Sequence, residues 1–195
     1  MARLIDQAIV LREFEWSETS QVVVLLTEHH GKVRGLAKGS KRRSPSSLQR
    51  FSGGIELLTA GQIVANTKRT AELANLTEWD QQQSYPWLRT DLSAQWAAMY
   101  AAELTAAMLA DLDAHPSVFQ QLGVFLDALQ RAKPQAALLR YQWALLDDCG
   151  YRPQLTRDVT GGGELARAQA YTFDPMAGGF TTQSGADEWR GRAAT

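Results

Sequence analysis

Seven basic side chains, Lys32, Arg34, Lys38, Lys41, Arg42, Arg43 and Arg50, fall between His29 and Ile55 with no Asp or Glu among them. Cations without a local anion create a positive field, and the chemistry that field suits is the holding of a polyanion such as a phosphate backbone. The same composition also describes a solvated loop kept soluble by its charge, so the run alone leaves both readings open. The chain-wide sum conceals it: 20 Lys and Arg stand against 21 Asp and Glu, for a net charge of −1. Residues 1–80 hold 11 basic and 9 acidic side chains, residues 81–150 hold 4 and 7, and residues 151–195 hold 5 and 5. Neutrality is therefore an average over unlike parts and does not count against a nucleic-acid binder.

Bond-making constellations are thin by comparison. The histidines are His29 and His30, adjacent in a turn, and His115. Ser17-Glu18-Thr19-Ser20 has no histidine near it in sequence to build a triad, and fits turn or capping duty. Gly161-Gly162-Gly163 follows no convincing strand and opens no strong helix, and no glycine-rich loop ends in Lys-Ser/Thr, so nucleotide cradles are not indicated. Asp147-Asp148 closes a helix, where two neighbouring carboxylates do not define a metal site. The lone Cys149 makes neither an internal disulfide nor a cysteine zinc site, and a reducing compartment is the default. The expectation is a protein with no catalytic residues, no metal and no cofactor.

The elements that must position the basic run come next. At 195 residues and 45% hydrophobic, the chain has apolar material for one large domain or two small ones and is not of disordered composition. No apolar run approaches the ~18–20 residues that span a bilayer, and Met1 to Asp6 reaches an acid before any long apolar stretch, so neither membrane nor secretory signal is expected. The first third reads as β structure: Ala8 to Leu11, Gln21 to Thr27, then Lys32 to Lys38 after the Glu28-His29-His30-Gly31 turn. Alternation puts Lys32, Arg34 and Lys38 on one face of the third strand, with Val33 and Ala37 on the core face. Gly39 to Ser47 reads as a flexible loop, Gly54 to Leu58 as a fourth strand, with Ile63-Val64 as its extension, and Leu73 to Trp79 as a fifth. Five strands in this span suggest a small barrel or sandwich.

Beyond it the period becomes helical. Asp91 caps a helix carrying Leu92, Trp96, Met99, Tyr100, Leu104 and Met108 on one stripe, read as core filling. A second starts near Pro116 with Val118, Leu122, Phe125, Leu126 and Leu129. A third runs from Pro134 to Asp148 with Leu138, Leu139, Gln142, Leu145 and Leu146, and ends at Gly150. Three such helices suffice for an antiparallel bundle. From Tyr151 onward the chain reads as a turn-rich ribbon around a strand at Ala170 to Phe173. A barrel with a cationic face and a basic loop can track a phosphate backbone; Phe14, Trp16 and Phe51 are the candidates for base stacking, and each also suits a core.

These residues carry a resemblance. Ile9-Val10-Leu11, Ser17-Glu18-Thr19-Ser20 and Gly31-Lys32-Val33-Arg34-Gly35-Leu36-Ala37-Lys38-Gly39 with its basic loop resemble the bacterial recombination mediator family RecO. The similarity continues through Glu72 to Glu78, Tyr100 to Leu104 and Leu145 to Leu155, and so covers most of the chain.

The resemblance implies an α+β protein: a five-stranded OB-fold barrel over residues 1–80, a helical domain over 81–150 and a zinc-ribbon-like insertion over 151–195. It implies a non-enzymatic mediator of DNA repair that binds single- and double-stranded DNA, anneals strands, and works with RecR and the single-strand-binding protein SSB to load RecA. A cytoplasmic, nucleoid-associated location follows. Carried over by position, Lys32, Arg34, Lys38, Lys41, Arg42, Arg43 and Arg50 contact DNA, with Arg12 at the margin of the set. The acidic tail of SSB would need an apolar groove with a basic rim in the helical domain, where Arg89, Arg131, Lys133 and Arg140 are the basic candidates. The competing reading is an adaptor that docks RecR and SSB, with DNA contact incidental.

Two departures qualify the resemblance. Where many relatives have two Cys-x-x-Cys pairs, this chain has Asp158 and Gly161, then Thr182 and Gly185, so no zinc is expected there. Relatives also continue for several helices past the ribbon, whereas Glu188 to Arg192 here reads as the start of another element. The helical domain is then expected to show uncovered apolar surface.

Overall fold

The computed structural model describes residues 2–67, 73–165, 167 and 170–182, and the backbone of 189–192. The chain divides into two compact units, Met1–Leu145 and Leu146–Thr195.

Five strands of the first unit close into a barrel: β1 (Ala2–Ser17), β2 (Ser20–Thr27), β3 (Gly31–Ala37), β4 (Ala60–Thr67) and β5 (Ala74–Gln83), in the spatial order β1-β2-β3-β5-β4. β1 is long enough to pair with β2 along one half and β4 along the other, and it bends at irregularities between Val10 and Arg12 and between Glu15 and Ser17. All pairings are antiparallel except β3 with β5, where Gly35, Leu36 and Ala37 run parallel to Ala74, Asn75 and Leu76. With a helix between β3 and β4, this is the OB-type barrel, and the fold is α+β as expected. Alternating residues fill the lumen: Ala8 and Val10, Val23 and Leu25, Val33 and Ala37, Ile63 and Ala65, Leu76 and Trp79.

Two expectations about the barrel need correction. The segment expected as a flexible loop is pinned: Gly39 N–H donates to Ser20 Oγ (3.1 Å), Ser40 Oγ to Gln21 Oε1 (2.9 Å) and Lys41 N–H to Thr19 O (3.1 Å). From Pro45 it becomes a helix, α1 (Pro45–Phe51), capped by Ser44, and Phe51 plugs the barrel core. The Gly54 to Leu58 stretch is not a strand; Gly53, Gly54 and Leu58 all have positive φ, which breaks extended pairing, and Ile55 turns into the core instead. The strand lies further on, at β4, and contains Ile63 and Val64.

A 3-10 turn at Pro86–Arg89 leads to α2 (Leu92–Met108), α3 (Pro116–Ala128) and α4 (Pro134–Asp148). Asp91 caps α2 as expected, its Oδ1 accepting from Ser93 N–H (2.9 Å) and Ala94 N–H (3.1 Å). The face α2 buries is not the expected one. Ala94, Ala97, Ala98, Ala101, Ala102, Thr105 and Ala106 are inside, while Leu92, Trp96, Met99 and Tyr100 are exposed. The alanine face lies against the 3-10 turn and β1, and its Thr105 hydrogen-bonds Tyr141 of α4, while large groups on α3 and α4 (Leu122, Phe125, Leu126, Tyr141 and Leu145) are buried and Phe125 stacks on Tyr141 at 5.2 Å. Bulk on one side of an interface leaves room for alanine on the other. α3 buries the stripe expected of it; in α4 Leu145 is buried but Leu139 is exposed, and Tyr141 takes the central place. α2 and α3 also lean on the barrel wall, on β1 and on β1 and β2 respectively.

In the second unit β6 (Ala170–Asp174) pairs with β7 (Gly179–Thr181) and with β8 (Trp189–Arg192), both antiparallel. The strand expected at Ala170 to Phe173 is β6, and the element read at Glu188 to Arg192 is β8, with Glu188 outside the described residues. No helix among the described residues is long and apolar enough to cross a membrane.

Candidate nucleic-acid interface

β3 positions the basic residues by simple alternation. Val33 and Ala37 face the lumen, so Lys32, Arg34, Leu36 and Lys38 take the outer face. The face is as expected, but its occupants have different fates. Lys32 is only 8% exposed, because the chain after α2 runs beside the start of β3. Its Nζ donates to the carbonyls of Ala106 (2.7 Å) and Leu109 (2.6 Å) and lies 3.1 Å from Asp111 Oδ1. These are carbonyls of a helix end that lack intrahelical partners, and the ammonium supplies both hydrogen bonds and the favourable charge. Lys32 is therefore withdrawn from the expected phosphate-facing set. Gly31 makes the approach possible: a Cβ there would fall 2.0 Å from Asp113 O, and φ is +69°.

The rest of the set reaches the surface. Arg34 Nε lies 3.3 Å from Asp111 Oδ2 with the guanidinium half exposed, and Lys38 is exposed at the end of β3. Lys41 Nζ sits 2.5 Å from Glu15 Oε1; that hydrogen bond holds the Glu15 carboxyl below its usual range and spends much of the lysine's charge. Arg42 and Arg43 are exposed on the pinned turn, with no ion pair among the described residues. Arg50 donates from Nε to Ser46 O (3.2 Å) and its guanidinium lies 5.5 Å from the centre of the Phe51 ring. Arg12 is engaged on both sides of its fork by Glu103, at 2.8 and 2.5 Å. Lys38, Arg42 and Arg43 are thus the cations most open to a ligand.

Exposed aromatics lie on the same hairpin. Phe14 is 52% exposed and pairs across β2 with Val22, which in turn pairs with Leu36, so an apolar row crosses the outer face from β1 to β3. Trp16, 64% exposed, stands near the hairpin end. Phe51, the third stacking candidate, is buried and belongs to the core. Glu13, buried in part, has its carboxyl pushed up by desolvation against the pull of Lys41, and accepts from Gln21 Nε2 at 3.3 Å.

Phe14 also borders a groove of about 420 Å³ with Leu11, Arg12, Leu57, Met99 and Glu103. A second depression, about 590 Å³, opens beside Met99 and includes Arg89, whose guanidinium is 2.6 Å from Glu56 Oε2. In both, the arginine at the rim already has its carboxylate. Arg131, Lys133 and Arg140 line neither. The first groove is apolar and the second largely polar, and both have a neutralised rim, unlike the basic-rimmed apolar groove expected for an acidic tail.

The former cysteine positions are used differently. Asp158 Oδ1 accepts from Thr160 N–H (2.9 Å) and Gly161 N–H (2.8 Å), and Oδ2 from Thr182 N–H and Oγ1 (both 3.0 Å). Hydrogen bonds from Gly161 and Thr182 hold this carboxyl well below its ordinary range. One carboxylate with its lone pairs taken does not fit a zinc-ribbon site, which needs four soft ligands. Gly185 lies outside the described residues.

The family model described as recombination protein O, N terminal, matches residues 1–85, over the barrel, and recombination protein O, C terminal, matches residues 89–192. The chain belongs to the RecO family. It is 31% identical over 180 residues to the DNA repair protein RecO of Anaeromyxobacter sp. (strain K), covering 92% of this chain and 69% of that protein. The counterpart in Geobacter metallireducens is 34% identical over 164 residues, 82% of this chain and 63% of the relative. That of Desulfitobacterium hafniense (strain Y51) is 28% identical over 172 residues, 88% and 60%. The chain thus spans about two thirds of the length of the curated relatives it matches. The RecO match agrees with the earlier resemblance, and the relatives' names are those of DNA repair proteins.

Proposed function

We propose that this protein is a non-enzymatic DNA-binding mediator of recombinational repair, which binds and anneals single strands and assists RecA loading on SSB-coated DNA. The observation that carries this reading is the set Lys38, Arg42 and Arg43: exposed cations on a turn whose backbone is pinned to the barrel, so that little ordering entropy is lost when phosphates are bound. Arg34 and Arg50 extend the track, Lys41 contributes when Glu15 is displaced, and Lys32 holds the scaffold without touching DNA. Annealing needs no covalent step: cations that neutralise two strands lower the repulsion between them. RecR, SSB and, through them, RecA are the partners, and the cytoplasmic nucleoid is the place of action.

The test is a strand-annealing and binding assay with and without SSB over a salt series. With about four phosphate contacts, log affinity for a single strand should fall against log salt with a slope of roughly −3. Replacing Arg42 and Arg43 by Glu should weaken binding and flatten that slope. Salt-independent affinity, or no loss in the double variant, would overturn the reading.

The exposed Leu92, Trp96 and Tyr100 on α2 favour a second reading, an adaptor that docks RecR or SSB with DNA contact incidental. Comparing SSB-tail binding with bare DNA binding in one preparation separates the two.

A further inference from the structure

We propose that Asp6, Glu28 and His29 form a binding site for a divalent transition-metal ion of the zinc class, where β1 meets the β2–β3 turn. One donor atom from each lies within 4.8 Å of the other two. His29 Nδ1 is 3.0 Å from Asp6 Oδ1 and 3.9 Å from Glu28 Oε2. Bonds of about 2.0–2.1 Å to nitrogen and carboxylate oxygen put the corners of a zinc tetrahedron about 3.3 Å apart, between these two separations. Asp6 and Glu28 contribute the third separation, within 4.8 Å, so closing the set takes rotation of both the exposed His29 ring and the Glu28 side chain.

The donor chemistry narrows the ion. An imidazole with two carboxylates is a zinc-type set, neutralises a divalent charge, and leaves the fourth corner to water. Calcium and magnesium require six or more oxygen ligands and are served poorly here.

The supporting shell is already built. The Asp6 side chain is only 3% exposed, and its second oxygen accepts from His29 N–H (2.9 Å) and faces His30 Nδ1 (2.7 Å), which fixes the carboxylate's orientation. Its first oxygen, Oδ1, accepts from Gln7 N–H (2.9 Å) with one lone pair and keeps the other on the His29 side, and Glu28 N–H donates to Gln7 O at 3.0 Å, tying the turn to β1. Metal uptake would replace the proton on His29 Nδ1, which passes to solvent. The site is independent of Cys149 and of the ribbon.

The experiment uses the whole chain after chelator dialysis, titrated with Co²⁺ for its ligand-field absorption and with Zn²⁺ by calorimetry. One equivalent should bind, with the intense visible bands of a four-coordinate cobalt site. His29→Ala, at a position 66% exposed and so harmless to the fold, should abolish uptake, with folding checked by circular dichroism. His30→Ala should weaken binding by about 10–100-fold, and His115→Ala and Cys149→Ser should leave it unchanged. Absence of stoichiometric uptake, uptake that survives His29→Ala, or uptake lost in His115→Ala or Cys149→Ser would overturn the proposal.

Discussion

Lys32 Nζ, on the outer face of the barrel, donates to the main-chain carbonyl of Leu109 at 2.6 Å, just past the end of α2. A basic residue inside a run that suggests phosphate contact is therefore a brace within the fold. The ammonium closes the helix end and joins it to β3, and Asp111 completes its shell.

Replacing Lys32 by Met should keep the packing of the aliphatic stem while leaving the Ala106 and Leu109 carbonyls without their donor and Asp111 with Arg34 alone. We expect a loss of about 1–3 kcal/mol in urea denaturation. Single-strand affinity of the folded fraction should stay within about two-fold of wild type, whereas Lys38→Ala should lower affinity and spare stability.

Phe14 and Trp16, both exposed on β1, are the candidates for the stacking part of the proposed single-strand site. Each replacement by Ala should weaken single-strand binding by roughly 5- to 100-fold, the range that one stacked base contributes, with a smaller effect on duplex. Tryptophan fluorescence, compared between wild type and Trp16→Ala, reads the contact directly. Equal loss on single strand and duplex would argue against stacking.

Asp158 ties the 158–161 turn to Thr182 through one ionised carboxylate. Its folded pKa is depressed, so its contribution is present above the unfolded carboxyl pKa and is lost as pH falls through the lower folded value. Ribbon amide protection in hydrogen exchange should hold at pH 6 and fade only under acid well below pH 4. Asp158→Asn should lower that protection at pH 6 and remove most of its pH dependence.

The inverted face of α2 makes opposite predictions for neighbouring positions. Ala101→Leu adds bulk at a fully buried position and should cost about 1–3 kcal/mol by thermal or urea unfolding. Trp96→Ser, on the exposed stripe, should change stability by less than about 0.5 kcal/mol.

The sequence by itself determined the elements whose rules are local. Period-two alternation placed Val33 and Ala37 inside the barrel and Arg34 and Lys38 outside, and Asp91 marked a helix start through two backbone donors. Ser17 to Ser20 and Gly31 to Gly39, taken together at their separation, indicated the family. The single Cys149 meant that no cysteine pairs stand after Tyr151. Tertiary structure decided what depends on partners distant in the chain. Lys32 and Lys38 have the same strand parity, yet only Lys32 meets residues 106–111, some 75 positions away. α2 carries two apolar stripes, and its packing on β1 and the 3-10 turn, with Thr105 meeting Tyr141 of α4, selected the alanine side. Asp6 and His29 are ordinary residues 23 positions apart until the closing of β1 on the β2–β3 turn aims both at one point. Alternation and capping are written within a few residues; burial, ion pairing and ligand geometry depend on which surfaces the folded chain brings into contact.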